Sequence, residues 1–87
     1  MRKSCKKCIL KHLSQAAVLM DEALLGYHAH RWLSVGHLAE AESEALGRWP
    51  ELSRKIREYR LLYEDGDDFE IMDIILEVIN YDEESDG

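Results

Sequence analysis

Apolar residues in the first third of the chain recur at steps of three and four. Ile9, Leu13, Ala16, Met20, Ala23 and Tyr27 form one stripe, widened by Leu10, Ala17 and Leu24. That period is helical and predicts a first helix over about residues 8–26. Gly26 ends it, because glycine adopts the left-handed backbone of a helix C-terminus without steric cost. The short link that follows makes an antiparallel helical hairpin the natural arrangement.

A second helix over about 29–47 follows from Trp32, Val35, Leu38 with Ala39, Glu42, Ala45 with Leu46, and Trp49. Gly36 in its interior costs about 1 kcal/mol against Ala; close approach to the Ala16–Ala17 side of the first helix would compensate. Glu42 falls on the apolar stripe, which predicts pairing with an arginine of the third helix. Gly47 and Pro50 separate the second helix from the third, proline being tolerated in a first turn.

The third helix, about 50–64, carries Leu52, Ile56, Tyr59 and Tyr63 on one face, with Arg54, Lys55, Arg57 and Arg60 mostly on the other. The turn Glu64-Asp65-Gly66-Asp67-Asp68 breaks the chain, and Asp67 or Asp68 can cap a fourth helix over about 68–80. This last segment holds Phe69, Ile71, Met72, Ile74, Ile75, Leu76, Val78 and Ile79, more than a surface helix requires. It is therefore central or pairs with another chain. The run is also β-prone, but acids at 70, 73 and 77 keep a helical spacing. The expected fold is all-α: a small four-helix bundle built on the hairpin, residues 1–81 forming one domain and 82–87 a disordered acidic tail.

An apolar fraction of 46% in 87 residues is ample for a core, although chains of this size often lean on a metal, disulfides or a partner chain. The net charge of −7 is unevenly spread. Arg2, Lys3, Lys6, Lys7 and Lys11 crowd residues 2–11, whereas residues 61–87 hold eleven acids and no Lys or Arg. Charge of this kind concerns partners and solubility. The acidic whole argues against general nucleic-acid binding, while the basic N-terminus alone can contact phosphate. Asp21-Glu22 interrupts the first apolar run, so no targeting or membrane segment is expected and the compartment is read as cytoplasmic.

The candidate chemistry lies at the N-terminus. Cys5, Cys8 and His12 form a Cys-x-x-Cys-x-x-x-His cluster running into the first helix, a knuckle-like turn whose donors can converge on one metal ion. Thiolate and imidazole suit Zn2+, with iron as the alternative. The surrounding lysines lower thiol pKa values. A redox dithiol is the competing reading, but the strand-then-helix context of a thioredoxin-like motif is missing. In a hairpin turning near residue 27, His12 sits level with about residue 43. Glu40 and Glu44 are then the nearest fourth ligands, and His37 lies roughly 9 Å further along the axis. His37 is the better ligand by type and the poorer by position, and a water or a second chain can also fill the fourth place. A packed or hydrogen-bonded role suits it as well, and His28 and His30 read as solvent-facing turn residues.

The stretch from Cys5 to Ala16 (Cys-Lys-Lys-Cys-Ile-Leu-Lys-His-Leu-Ser-Gln-Ala), followed by Gly36-His37-Leu38-Ala39-Glu40-Ala41-Glu42, resembles a class of small helical proteins of phages and prophage regions. The resemblance covers residues 5–46. It implies that Cys5, Cys8, His12 and His37 belong to one recurring pattern, which raises His37 as a metal ligand above the height consideration. It implies no activity.

No Ser-His-Asp ordering and no phosphate-cradling glycine loop can be read, and 87 residues leave little room for a pocket around an open metal position, so an enzyme is not expected. The expected function is macromolecular binding by a metal-stabilised bundle, in the manner of a phage-type inhibitor or adaptor with an acidic surface. The partner would be an unidentified protein, with homodimerisation through the fourth helix as the simplest cover for its aliphatics. The alternatives are nucleic-acid binding through the basic knuckle and, less favoured, a metal- or thiol-dependent enzyme.

Overall fold

The computed structural model describes residues 5–67 and 69–81. It contains four helices, α1 (Lys6–Leu24), α2 (Ala29–Leu46), α3 (Pro50–Glu64) and α4 (Ile71–Asn80), and no strand occurs among the described residues. The α1–α2 hairpin is extended by α3, which returns along α2. Helix α4 packs chiefly on α1 and more lightly on α3. The expected tail, 82–87, and the candidate cap Asp68 lie outside the described residues.

Two turns are built alike. At the end of α1, Tyr27 N–H donates to Glu22 O (3.2 Å) and Gly26 N–H to Ala23 O (3.2 Å), with Gly26 at φ +115°. At the end of α3, Asp67 N–H donates to Leu62 O (3.0 Å) and Gly66 N–H to Tyr63 O (3.1 Å), with Gly66 at φ +98°. Each closes the orphan carbonyls of a helix end in a Schellman motif, which needs a left-handed residue at the glycine.

The core comprises Ile9, Leu13, Ala16 and Met20 of α1, Leu38, Ala41 and Ala45 of α2, then Trp49, Leu52, Ile56, Tyr63, Ile71, Ile74 and Val78. On α2 the buried face is rotated from the expected stripe. Trp32 is 66% exposed and Leu46 also faces solvent, while Ser34 and Ala41 are buried. The reason is space: α2 is enclosed between α1 and α3, and small side chains at 34, 41 and 45 let backbones approach where an indole would hold them apart. Ser34 Oγ donates to His30 O (2.9 Å) and lies 3.5 Å from Ala16 O, so a serine makes the close approach assigned to Gly36. Gly36 is exposed, and a Cβ built there meets nothing within 4 Å.

Glu42 pairs with α3 as its position required. Arg60 Nε lies 2.9 Å from Glu42 Oε1, and Ser53 Oγ donates to the Glu42 carbonyl at 2.8 Å. Helix α4 starts at Ile71, three residues later than expected, with Glu70 as an N-cap that makes no side-chain bond. Asp67 does not cap it, because its backbone closes α3. Phe69, in extended chain, is drawn against the rings of Tyr59 (4.8 Å) and Tyr63 (6.1 Å), which delays the helix. Helix α4 is only half central: Ile71, Ile74 and Val78 are buried, whereas Met72, Leu76 and Ile79 stay about half exposed. Lys55 Nζ to Glu77 Oε1 (2.5 Å) ties α4 to α3.

Candidate metal centre

The stripe on α1 is Cys5, Cys8, His12, at steps of three and four. The stripe on α2 is His37, Glu40, Glu44, at the same steps. Residues so spaced share a helix face, and antiparallel packing sets the two faces against each other in reverse order. The His12 and His37 rings stack with centroids 5.8 Å apart. Glu40 Oε1 lies 3.3 Å from His37 Nδ1 and 3.8 Å from His12 Nδ1. One donor atom from each of the three residues falls within 4.8 Å of the others.

His37 is thus the neighbour of His12, contrary to the height expectation. Ala16 faces Ser34 and His12 faces His37, so α2 sits about one and a half turns, roughly 8 Å, back along α1 relative to a symmetric hairpin. The Schellman turn at Gly26 folds the chain down beside the last turn of α1 before α2 begins. There His30 Nδ1 lies 3.0 Å from Glu22 Oε1 and its ring stacks on Tyr27 at 5.5 Å. His30, expected in solvent, is half-buried in this lock, while His28 is exposed. Glu44 is displaced from His12 towards the helix N-terminus, where its charge acts on Cys5.

The Nδ1 atoms of His12 and His37 are shielded from solvent and both face Glu40 Oε1 at ion-pair distance. His30 Nδ1 is shielded in the same way against Glu22 Oε1, but at the seam two imidazoles converge on one carboxylate. A divalent ion would satisfy both. Zinc binds at about 2.0–2.2 Å from imidazole nitrogen and carboxylate oxygen, which requires a modest contraction of the three donors. The donor set therefore fits such an ion.

The cysteines are not part of this group. Helix α1 begins at Lys6, so Cys-x-x-Cys forms its cap and first turn rather than a separate knuckle before it. Cys5 is the N-cap, and its Sγ accepts from Cys8 N–H at 3.4 Å. Hydrogen bonds from the Cys8 thiol and then the Cys8 backbone N–H hold the Cys5 pKa below the usual thiol value, opposed by burial and the Glu44 carboxylate. Both thiols are half-buried and form no disulfide.

Sequence reasoning missed the role of Lys6. Its amine donates to the carbonyls of Ile79 (3.3 Å) and Tyr81, closing the C-terminus of α4. One of the five N-terminal cations expected for nucleic acid is thereby committed to the fold; Arg2 and Lys3 lie outside the described residues. Away from His12 and His37, a cleft of about 390 Å3 is lined by Met20, His28, Arg31, Tyr63, Phe69 and Ile71, among others. No helix is long and apolar enough to cross a membrane among the described residues.

Compared with protein-family models, with curated proteins and with solved structures, the chain matches none.

Proposed function

We propose that this chain is a metal-clamped helical module that acts by binding another macromolecule. The observation that carries this reading is the convergence of His12, His37 and Glu40 across the α1–α2 seam, with both Nδ1 atoms shielded from solvent and turned towards one carboxylate. An ion there, zinc by donor type, joins the two longest helices and supplies the staple that a chain of 87 residues commonly needs. Binding rather than catalysis is supported by α4, which runs along α1 with its C-terminus at Lys6. Helix α4 carries a ridge of Met72, Leu76 and Ile79, each about half exposed, beside the exposed carboxylates of Asp65, Asp67, Glu70 and Asp73. An apolar ridge whose Met72 end is bordered by carboxylates suits a protein surface with basic residues at that end. The resemblance to small phage-type helical proteins makes an inhibitor or adaptor the specific form of this reading.

The test is elemental analysis of untagged protein with melting curves before and after chelator. About one zinc per chain is expected, with a fall in melting temperature on chelation that His12→Ala and His37→Ala abolish. Protein free of metal, with a melting temperature indifferent to chelator and to added zinc, would falsify the clamp.

A further inference from the structure

We infer that the cleft between the last two turns of α1 and the Phe69–Met72 segment receives a large apolar side chain of a protein partner, flanked in that partner by lysine or arginine. The inference rests on the binding reading above and assigns the partner's chemistry. The cleft exists because Phe69 stays in extended chain against Tyr59 and Tyr63, so α4 begins only at Ile71 and leaves space beside the end of α1. Its volume of about 390 Å3 falls within the roughly 300–1,000 Å3 of ligand-binding pockets. Met20 and Ile71, both buried, line it with half-buried Phe69, while Leu24 (76% exposed) and Met72 (48%) line it from the solvent side. Large apolar side chains left open around a recess mark an interaction surface. Met72 also ends the α4 ridge, so cleft and ridge meet there.

Charge selects the partner. The charged and imidazole side chains lining the cleft are Asp21, Glu70, Arg31 and His28. The Arg31 guanidinium lies over the Tyr63 ring, 4.0 Å from its centroid, and donates to the Tyr63 carbonyl at 2.7 Å. It is thereby stacked against α3 as part of the wall. Asp21 and Glu70 are exposed, and neither side chain makes an ion pair or hydrogen bond among the described residues. Glu70 is the N-cap of α4 without bonding to it, so the fold makes no use of either carboxylate. Asp65, Asp67 and Asp73, also exposed, flank the Phe69–Met72 segment in sequence and add to the negative field. Carboxylates therefore outnumber cations around the cleft. A partner carrying cations beside its apolar anchor gains attraction there, and one carrying carboxylates meets like charge.

The probes are capped peptides Ala-Lys-Phe-Lys-Ala, Ala-Ser-Phe-Ser-Ala and Ala-Glu-Phe-Glu-Ala, titrated into methyl-labelled full-length protein at low salt, at a pH where an ordinary histidine is neutral. Methyl signals of Met20, Ile71 and Met72 should shift. The basic peptide should bind about fivefold or more tighter than the acidic one, with the neutral one between them. Glycine in place of phenylalanine in the basic peptide should abolish the shifts at Met20 and Ile71. Asp21→Asn with Glu70→Gln, at two exposed positions, should cut the charge preference by about half or more while the phenylalanine peptides still bind. An acidic peptide bound as tightly as the basic one overturns the proposed partner chemistry. An undiminished preference in the double variant overturns the role of Asp21 and Glu70. Shifts confined to Leu76 and Ile79 overturn the cleft and leave the α4 ridge as the binding surface. No shift at cleft or ridge overturns the cleft and removes the support of α4 for binding, while the metal clamp is judged separately by elemental analysis.

Discussion

His12 and His37 stack ring upon ring, 5.8 Å apart, across the seam between α1 and α2, and Glu40 Oε1 sits beside both Nδ1 atoms. Each histidine is held by a different helix, so whatever bridges them also fixes the register of the hairpin. The site and the fold are therefore coupled, and ligand binding should be read in stability.

At a metal concentration 100-fold above Kd, binding to the native state alone adds about 2.7 kcal/mol. For a domain of this size that raises the melting temperature by roughly 10–20 °C. His37→Ala should remove the shift, and Glu44→Gln should retain it. Calorimetry with and without zinc checks the pair, and an equal loss in both variants would contradict the register described above.

Gly36→Ala should stabilise the protein by about 0.5–1 kcal/mol, because alanine loses less backbone entropy in a helix and a Cβ at this position meets nothing within 4 Å. Urea unfolding measures it. Destabilisation would mean that another backbone approaches Gly36 closely after all.

Ser34→Leu should cost about 1–3 kcal/mol by overpacking the α1–α2 contact, since Ser34 is fully buried 3.5 Å from the Ala16 carbonyl. Forcing the helices apart there should also weaken zinc binding at the seat, although neither Ser34 nor Ala16 is a ligand. Isothermal titration of the variant tests that coupling, and unaltered zinc affinity would show the two sites to be independent.

Glu42 and Arg60, at 20% and 19% side-chain exposure, are shielded enough to matter. Glu42→Ala should cost about 1–2 kcal/mol, between the values for surface and buried pairs, because Arg60 is left with its neighbour Glu64 and Arg57 loses its contact with Glu42. A double-mutant cycle with Arg60→Ala isolates the pairwise part; a coupling near zero would reduce the pair to surface decoration.

In metal-free protein Cys5 should alkylate with a midpoint below the ordinary thiol pKa, because the Cys8 thiol and backbone N–H stabilise its thiolate. The sign follows from the charge. A lowered thiol pKa favours the folded state above the unfolded thiol's pKa, and that contribution disappears as pH falls through the folded value. Cys8→Ala should move the midpoint upwards. Alkylation rates across pH, resolved by mass spectrometry, read it directly; an unmoved midpoint would remove Cys8 as the cause.

Local pattern and tertiary packing divided the outcome. The helical periods, the breaks at Gly26, Gly47 with Pro50, and Gly66, and the donor stripes at steps of three and four are properties of adjacent residues, so the sequence alone determined them. It also identified Glu42 as an acid needing an arginine, because a carboxylate on an apolar stripe is costly unless paired. Which donors meet was decided only in three dimensions. The Gly26 turn drops α2 back by about one and a half turns, and small residues at Ser34, Ala41 and Ala45 rotate its buried face. Together these bring His37 to His12, send Glu44 to the level of Cys5, and leave Trp32 in solvent. Register and rotation depend on how a loop folds back and on which surfaces pack most closely, and neither quantity is written in the period of a single helix.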